Sequence, residues 1–343
     1  MAVSSDLHNP QSARARPGRT RANRKREPRR AEREHGLISV VIVNFNAGDY
    51  LRAAVDSVKA QAGNRCEIIV VDNDSHDHSL DRLDEVWEDS ATLRVIALDE
   101  NIGFARACNL GMQNARGRQI LFMNPDCRLL PEALSHLLAA LHSAESIGMV
   151  GARLINPDGS EQRGARRDVP NPWQIFCAVL QLHRLMPRHP RFRSFNLDRE
   201  PLPDRPVTVQ AVSGACMMVK RDAISAVGTM DSEYFLHFED LDWCLRFNAA
   251  EWQILFVPEA VAEHTHGVCS AHAPMRVEYH KHRSLIRFLR KHFTTYYPSS
   301  FMALVAGLVT LRFAVLVPRL MWQRLFRSRA AVVGGAPEGA RQS

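Results

Sequence analysis

The sequence predicts a three-layer α/β/α fold with a mostly parallel central sheet and additional C-terminal helices. Three observations predict it. Short apolar, β-branched runs alternate with amphipathic helical stretches over the first 150 residues. Such alternation with short links makes parallel strands covered on both faces. Asn and Asp stand directly after the runs, where an α/β sheet opens its ligand crevice. The rhythm then breaks, which sets the second half of the chain apart.

Taken in order, Ile38–Val43 reads as a buried first strand ending in Asn-Phe-Asn. Asp49 can cap a helix over about 50–60, with Leu51, Ala54, Val55 and Val58 on its inner face. Glu67–Val71 is the second strand, broken by Asp-Asn-Asp-Ser. A helix near 78–89 and a strand near 94–98 follow. Phe104–Ala115 is helical in pattern and stops at Gly117. Gln119–Met123 is the next strand, and Pro131 is placed to start a helix running to about 142. Met149–Leu154 and NPDGS read as a strand and turn. Residues 156–207 are Pro- and Arg-rich and poorly periodic, with a helix at 172–185; so long an irregular insertion reads as a lid or a disordered loop. A strand pair is expected around Ser213-Gly214, a helix at Glu239–Ala249, a last strand at Ile254–Val257 and a basic helix at Tyr279–His292. No internal repeat is visible.

These elements divide 343 residues into a basic tail (1–36), one globular domain (37–272), C-terminal helices (273–330) and a short tail (331–343). Within the domain, 37–130 reads as a nucleotide-binding half and 131–272 as an acceptor and catalytic half. The net charge is +7, but residues 1–36 carry ten Lys/Arg against four acids. The body is therefore nearly neutral. The tail has almost no large apolar residues and is expected to be disordered. It is either a solvated extension or a segment drawn to an anionic membrane face. Nucleic-acid binding is disfavoured, because no aromatics interleave the basic residues. Seven scattered Cys without a CxxC pair point to reduced thiols and a cytoplasmic location rather than a disulfide frame. The N-terminus lacks the apolar core of a secretory signal.

The sequence MNPDCRLL at 123–130 places Asp126 just past a strand. A carboxylate there can hold Mg2+ or Mn2+, and the cation a diphosphate. Asn124 stands beside it. Asp72 ends the second strand facing the same crevice as Asn44 and Asn46, and can accept from a pyrimidine N–H or ribose hydroxyls. Asn73, Asp74 and Asp77 are explained as well by local capping. Asn101, Gly103, Phe104 and Asn109 open a helix whose N-terminus favours an anion, and Arg106 can reach a phosphate. No GxGxxG or P-loop pattern occurs, so diphosphate binding falls mainly to a metal. Glu239, Asp240 and Asp242 crowd a first helical turn, which the helix dipole partly explains. Asp242 and Arg246 are spaced to pair. That leaves Asp240 as candidate general base for an acceptor hydroxyl, with Glu239 to orient it. His266 is favoured over His264 as a further metal or phosphate contact. Ser213, Gly214 and Trp243 are candidates for a sugar or acceptor pocket, with tight backbone approach and packing as their bland roles.

In this order, VIVNFN, VVDNDS, NIGFARACNLG, NPD, SGACMMVKRDAI, FEDLDWCLR and HTHG resemble family 2 inverting glycosyltransferases of the GT-A fold over about residues 38–270. The resemblance implies a nucleotide-sugar donor and attack by an acceptor hydroxyl with inversion at the anomeric carbon. Asp72 would bind the nucleotide, Asp126 would match the last acid of the DXD metal motif, and Asp240 the catalytic base. Asn124 replaces the first Asp of that motif, as in a rhamnosyltransferase-like branch. That branch implies a dTDP-rhamnose donor and a polysaccharide or polyprenyl-linked acceptor. A UDP-hexose or UDP-galactofuranose donor is the alternative within enzymes, and a silent GT-A scaffold the alternative outside them.

Phe301–Val317 is apolar apart from Thr310 and Arg312, and Pro318 is expected to end it. Seventeen residues with an internal Arg are marginal for crossing a bilayer. A helix in the interface of the inner leaflet is expected, with a core or dimer helix as the alternative.

Overall fold

The computed structural model describes residues 36–62, 65–84, 92–182, 189–192, 194–265, 267–268 and 273–333. The basic tail, the far end of the 78–89 helix, His266 and Cys269 lie outside the described residues.

The strands are β1 (Ile38–Asn44), β2 (Cys66–Asp72), β3 (Leu93–Ala97), β4 (Gln119–Met123), β5 (Cys127–Leu129), β6 (Ile147–Ile155), β7 (Arg166–Arg167), β8 (Val207–Thr208), β9 (Ala211–Val212), β10 (Cys216–Lys220) and β11 (Gln253–His264). The helices are α1 (Asp49–Ala62), α2 (Asp81–Asp84), α3 (Phe104–Asn114), α4 (Ala133–His142), α5 (Pro172–Val179), α6 (Arg221–Val227), α7 (Glu239–Ala249), α8 (Pro274–Phe293) and α9 (Ser299–Val333).

Among the described residues the main sheet runs β3-β2-β1-β4-β10-β6-β11-β5, with β8 added on β11. β3, β2, β1 and β4 are parallel. β10 enters antiparallel between β4 and β6, and β11 is parallel to β6. The sheet is thus mixed in its second half. β1 and β2 are buried along their whole length, which explains their continuous Val/Ile runs. The order reverses beside β1: β2 and β3 lie on one side, β4 on the other. That switch point opens a crevice at the carboxyl ends of the strands.

Three expectations are corrected. Ser213-Gly214 does not turn a hairpin. β9 pairs β7 in a separate two-stranded sheet, while β10 pairs β4 and β6. The helix expected at 172–185 is described only to Val179. Pro318 does not end the last helix but sits inside it. Its missing N–H costs one hydrogen bond, and the apolar residues on both sides still favour the helix. The 156–207 insertion is not uniformly irregular, since it carries β7 and α5. Within it Arg166, 5% exposed, pairs with Glu161 at 2.8 Å, and Arg166 pins it to the body by lying over the Phe256 ring of β11. The six described cysteines are buried and form no disulfide with one another.

Candidate active site

Strand direction alone brings the predicted carboxylates together. Asn44, Asp72 and Asn124 follow or end parallel strands β1, β2 and β4. β10 is antiparallel, so the Ser213-Gly214 segment before it reaches the same edge. β11 is parallel to β6, so His264 ends there too.

On the nucleotide side, Asp72 is 4% exposed. Its Oδ1 accepts from Asn44 Nδ2 at 2.8 Å and its Oδ2 from the Ser75 N–H at 3.2 Å. Each carboxylate oxygen keeps a further lone pair. Asn44 is fully buried and spends its amide on Asp72, Ser75 and Ser79. Its Nδ2 fixes the carboxylate, while its buried Oδ1 has no protein partner. Asn46 is left-handed (φ 52°), with its Oδ1 on the His76 N–H and its own N–H on Ser75. Asp77 holds the Gly48 N–H at 2.7 Å, the local capping expected of it.

The start of α3 is a loop clasp, not an open anion site. Asn73 and Asn101 bond to each other at 3.0 Å and to the Ile102 and Gly103 N–H groups. Gly103 has φ 88°, and a Cβ there would meet the Phe235 carbonyl at 2.7 Å. The Phe104 N–H already donates to that carbonyl. Asn109 exchanges both amide bonds with Met230 and is 7% exposed. Arg106 Nε donates to the Ser232 carbonyl. The expected donor contacts of Gly103, Phe104 and Asn109 therefore become anchors for the 229–238 loop. The spacing that suggested a phosphate cradle is instead satisfied by protein backbone.

Asp126 and His264 form the candidate metal end. β5 starts directly after Asp126 and pairs with the end of β11, opposing Cys127 to His264. His264 Nε2 lies 3.1 Å from Asp126 Oδ1 and 3.3 Å from Asn124 Nδ2. Both residues are under 8% exposed. Gln162 donates its amide to the His264 carbonyl and to Asn156. Its Oε1 is thus the acceptor facing His264 Nδ1 at 2.6 Å. Nδ1 donates to Gln162, and Nε2 faces both the Asn124 amide and Asp126 Oδ1. A carboxylate oxygen and an imidazole nitrogen 3.1 Å apart are a donor pair that could share one divalent cation, with Nε2 unprotonated when the metal is bound. Among the described residues no three His, Cys, Asp or Glu converge as a metal site. Sequence reasoning ranked His264 below its neighbour; the signal it missed was the position of His264 at the end of a strand.

Glu239 and Asp240 open α7 after two consecutive left-handed residues, His237 (φ 64°) and Phe238 (φ 69°). Non-glycine residues hold that conformation at a cost, and such strain concentrates at working sites. Asp240 Oδ2 is bound by Arg167 at 2.5 Å and by the Gly214 N–H at 3.1 Å; Oδ1 accepts from the Leu241 N–H at 2.8 Å. Burial opposes its charge, but Arg167 and the two N–H groups outweigh it and hold the carboxyl below its usual range. Glu239 is its opposite. Burial, helped by the Asp240 charge, pushes it up to about 8, and its Oε2 is buried without a partner. Adjacent carboxyls are thus held in opposite protonation states at neutral pH, one charged and one neutral. Gly214 contributes its N–H, and a Cβ there would come within 3.3 Å of the Asp240 Cβ. Ser213 bonds within its own turn, to the Ala215 N–H.

Two further expectations resolve into structure. Trp243 is fully buried, edge-on to Phe122 and Phe247, with Nε1 on the Gly228 carbonyl. It is core, not sugar pocket. Asp242 pairs with Arg246 at 2.9 Å as its spacing predicted, and also with Lys291 and His292 of α8. It ties α7 to the C-terminal helix α8. Arg167 and Gln162 were not anticipated, because both lie in a stretch with no periodicity to place them.

A family model described as glycosyl transferase family 2 matches residues 39–228. Over 310 residues the chain is 26% identical to an N-acetylglucosaminyl-diphospho-decaprenol L-rhamnosyltransferase of Mycobacterium tuberculosis, covering 87% of this chain and 98% of that protein. A putative teichuronic acid biosynthesis glycosyltransferase of Bacillus subtilis is 30% identical over 125 residues, 36% of this chain and 50% of that one. Among solved structures, a mannosyltransferase of Pyrobaculum calidifontis in complex with GDP-Man and Mn2+ matches with a TM-score of 0.51 at 14% identity, over 86% of this chain and 79% of that one. GalNAc-T7 with UDP, GalNAc and Mn2+ matches with a TM-score of 0.50 at 19% identity, over 67% of this chain and 44% of that one. These likenesses identify the three-layer architecture as the GT-A fold. The family match spans more than half the sequence, and the chain belongs to glycosyl transferase family 2 as a glycosyltransferase.

Proposed function

We propose that the protein transfers rhamnose from dTDP-rhamnose to a hydroxyl of a polyprenyl-linked glycan, with inversion at the anomeric carbon. Asp240 is the general base. Its carboxylate is kept ionised by Arg167 and aimed by the Gly214 N–H, so it can take the proton of the acceptor hydroxyl as that oxygen attacks. Asp72, fixed by Asn44, accepts from the nucleotide base or ribose. Asp126 and His264, with Asn124 beside them, would hold a divalent cation, and one nitrogen ligand suits Mn2+ better than oxygen-seeking Mg2+. When bound, the cation neutralises charge on the departing diphosphate. Glu239, neutral and buried, supports the turn that presents Asp240.

The observation that carries this reading is the convergence of Asp72, Asp126 and Asp240 on one sheet edge. The donor and acceptor follow the similarity to the mycobacterial rhamnosyltransferase, which extends over 98% of that protein. Peripheral attachment to the cytoplasmic face of a membrane is supported by α9. Its Ser299–Arg319 segment is long and apolar enough to span a membrane. Yet Val305 and Val309 are fully buried against the domain, while Leu304, Leu311 and Val315 are at least half exposed. A helix packed lengthwise on one face suits lying in an interface.

The test is a binding and turnover screen against dTDP-rhamnose, UDP-sugars and GDP-sugars, with and without Mn2+ or Mg2+. Metal-dependent turnover of dTDP-rhamnose is expected. Turnover of a UDP-sugar alone would discard the rhamnosyl assignment and keep the mechanism. No nucleotide binding under any condition would leave a silent scaffold.

A further inference from the structure

A second cavity lies away from the strand ends, between α8 and α9, with a volume of about 700 Å³. That is the size of a small-molecule site. Its walls combine two chemistries. Tyr279 of α8 and Phe313 of α9 form an edge-to-face aromatic pair, with centroids 6.1 Å apart. Arg283, Arg287, Arg290 and Lys291 line the other side.

These cations are not equivalent. Arg287 and Lys291 are spent on Asp231, at 3.1 and 2.7 Å. Arg283 and Arg290 are exposed, and neither has an acidic side chain within ion-pair distance among the described residues. They stand seven residues apart, two helical turns, and so share one face of α8 about 10 Å apart along its axis. Arg276 continues the same stripe one heptad earlier, over the Phe235 ring. The field is strong enough to be felt nearby. Burial and then the Arg276 and Arg283 charges push His280 below its usual range. Arg312, the charge that interrupts the apolar stretch of α9, acts on His282 in the same sense.

An unneutralised cationic pair beside the apolar wall of Tyr279, Ile286 and Phe313 is complementary to an anionic head on a hydrocarbon chain. We propose that this cavity binds the diphosphate of a polyprenyl-linked acceptor, on Arg283 and Arg290, with the start of the lipid chain against Tyr279, Ile286 and Phe313. The inference rests on the lipid-linked acceptor proposed above and gives that acceptor a site. The geometry connects it to the chemistry. Glu233 and Phe235 line the cavity, and the loop that bears them continues directly into Glu239 and Asp240. On this proposal a sugar attached to the bound diphosphate would extend along this loop toward Asp240.

The test uses the full chain and three probes: geranylgeranyl diphosphate in phosphatidylcholine vesicles, inorganic diphosphate, and phosphatidylglycerol vesicles. The variants are R283Q/R290Q and R283K/R290K, each compared with wild type by thermal melting. The expected result is that wild type binds geranylgeranyl diphosphate and the Gln pair binds it roughly 100-fold more weakly, about tenfold per lost charge-assisted contact. The Lys pair is expected to stay within a fewfold of wild type. Nucleotide-sugar binding is expected to be equal in all three proteins. Unchanged lipid binding by the Gln pair overturns the proposal. Equal affinity for inorganic diphosphate would make the cavity a free-anion site, and equal displacement by phosphatidylglycerol a general membrane patch; either overturns it. Loss of nucleotide-sugar binding in wild type would instead strike the transferase reading, and the lipid titration would still report on the cavity.

Discussion

Arg167 and Asp240 form a nearly buried ion pair across 73 residues of chain, with side chains 15% and 13% exposed. It joins the 156–207 insertion to the first turn of α7. The insertion therefore holds the charge on Asp240, the proposed base. Losing one partner of a buried pair costs roughly 3–5 kcal/mol. Arg167→Gln is expected to lower the melting temperature and to raise the Asp240 pKa, because burial would then act unopposed. The acidic limb of the kcat/KM profile moves to higher pH, and Arg167→Lys restores part of the shift. A profile with an unmoved acidic limb would reduce Arg167 to a structural role.

Asp240→Asn removes the proton acceptor while keeping the Gly214 N–H and most of the packing. General-base catalysis contributes roughly 10²–10⁴-fold, so kcat is expected to fall by that factor with donor affinity preserved. Single-turnover kinetics beside donor titration separates the two. Turnover near the wild-type rate takes the base role away from Asp240.

At the other end of the crevice, Asp126→Ala is expected to weaken donor binding and abolish its response to Mn2+. Gln162→Ala makes a sharper test, because Gln162 touches no ligand. It only sets the His264 tautomer, and such supporting contacts are worth roughly 10–100-fold in metal affinity. The measurement is Mn2+ titration followed by calorimetry. An unchanged Mn2+ affinity in Gln162→Ala would mean that His264 is not a ligand.

Much of this architecture was legible in the chain. Ile38–Val43 and Glu67–Val71 announce buried parallel strands by continuous β-branched composition, and Glu239–Ala249 announces its helix by periodicity. Asp72, Asp126 and Asp240 were legible because strand ends and a helix start place them. The misplacements share one cause. Trp243 and Asn109 were judged by chemical type, and type does not say which way a side chain turns. Burial of Trp243 against Phe122 decides it, and that contact joins β4 to α7, elements far apart in sequence. Arg167, Gln162 and the α8–α9 cavity were illegible for the same reason. Each depends on long-range packing of a segment whose local pattern is irregular or simply basic.

Glu239 carries the last prediction. Unfolded, it loses its proton near the ordinary 4.5; folded, burial and the Asp240 charge keep that proton to about 8. Between those values the native state binds more protons than the unfolded state, so stability falls as pH rises across the window. Above pH 8 the native protein carries a second buried charge, and Oε2 has no partner to meet it. Glu239→Gln imitates the protonated form and cannot ionise. It is expected to melt close to wild type at pH 5 and several degrees higher at pH 9, where ~1 kcal/mol is worth roughly 2–4 °C for a domain of this size. The wild-type decline between pH 5 and 8 should flatten in the variant. Parallel curves for the two proteins would mean that Glu239 is ionised at neutral pH, and that the two carboxyls do not divide the proton as their environments dictate.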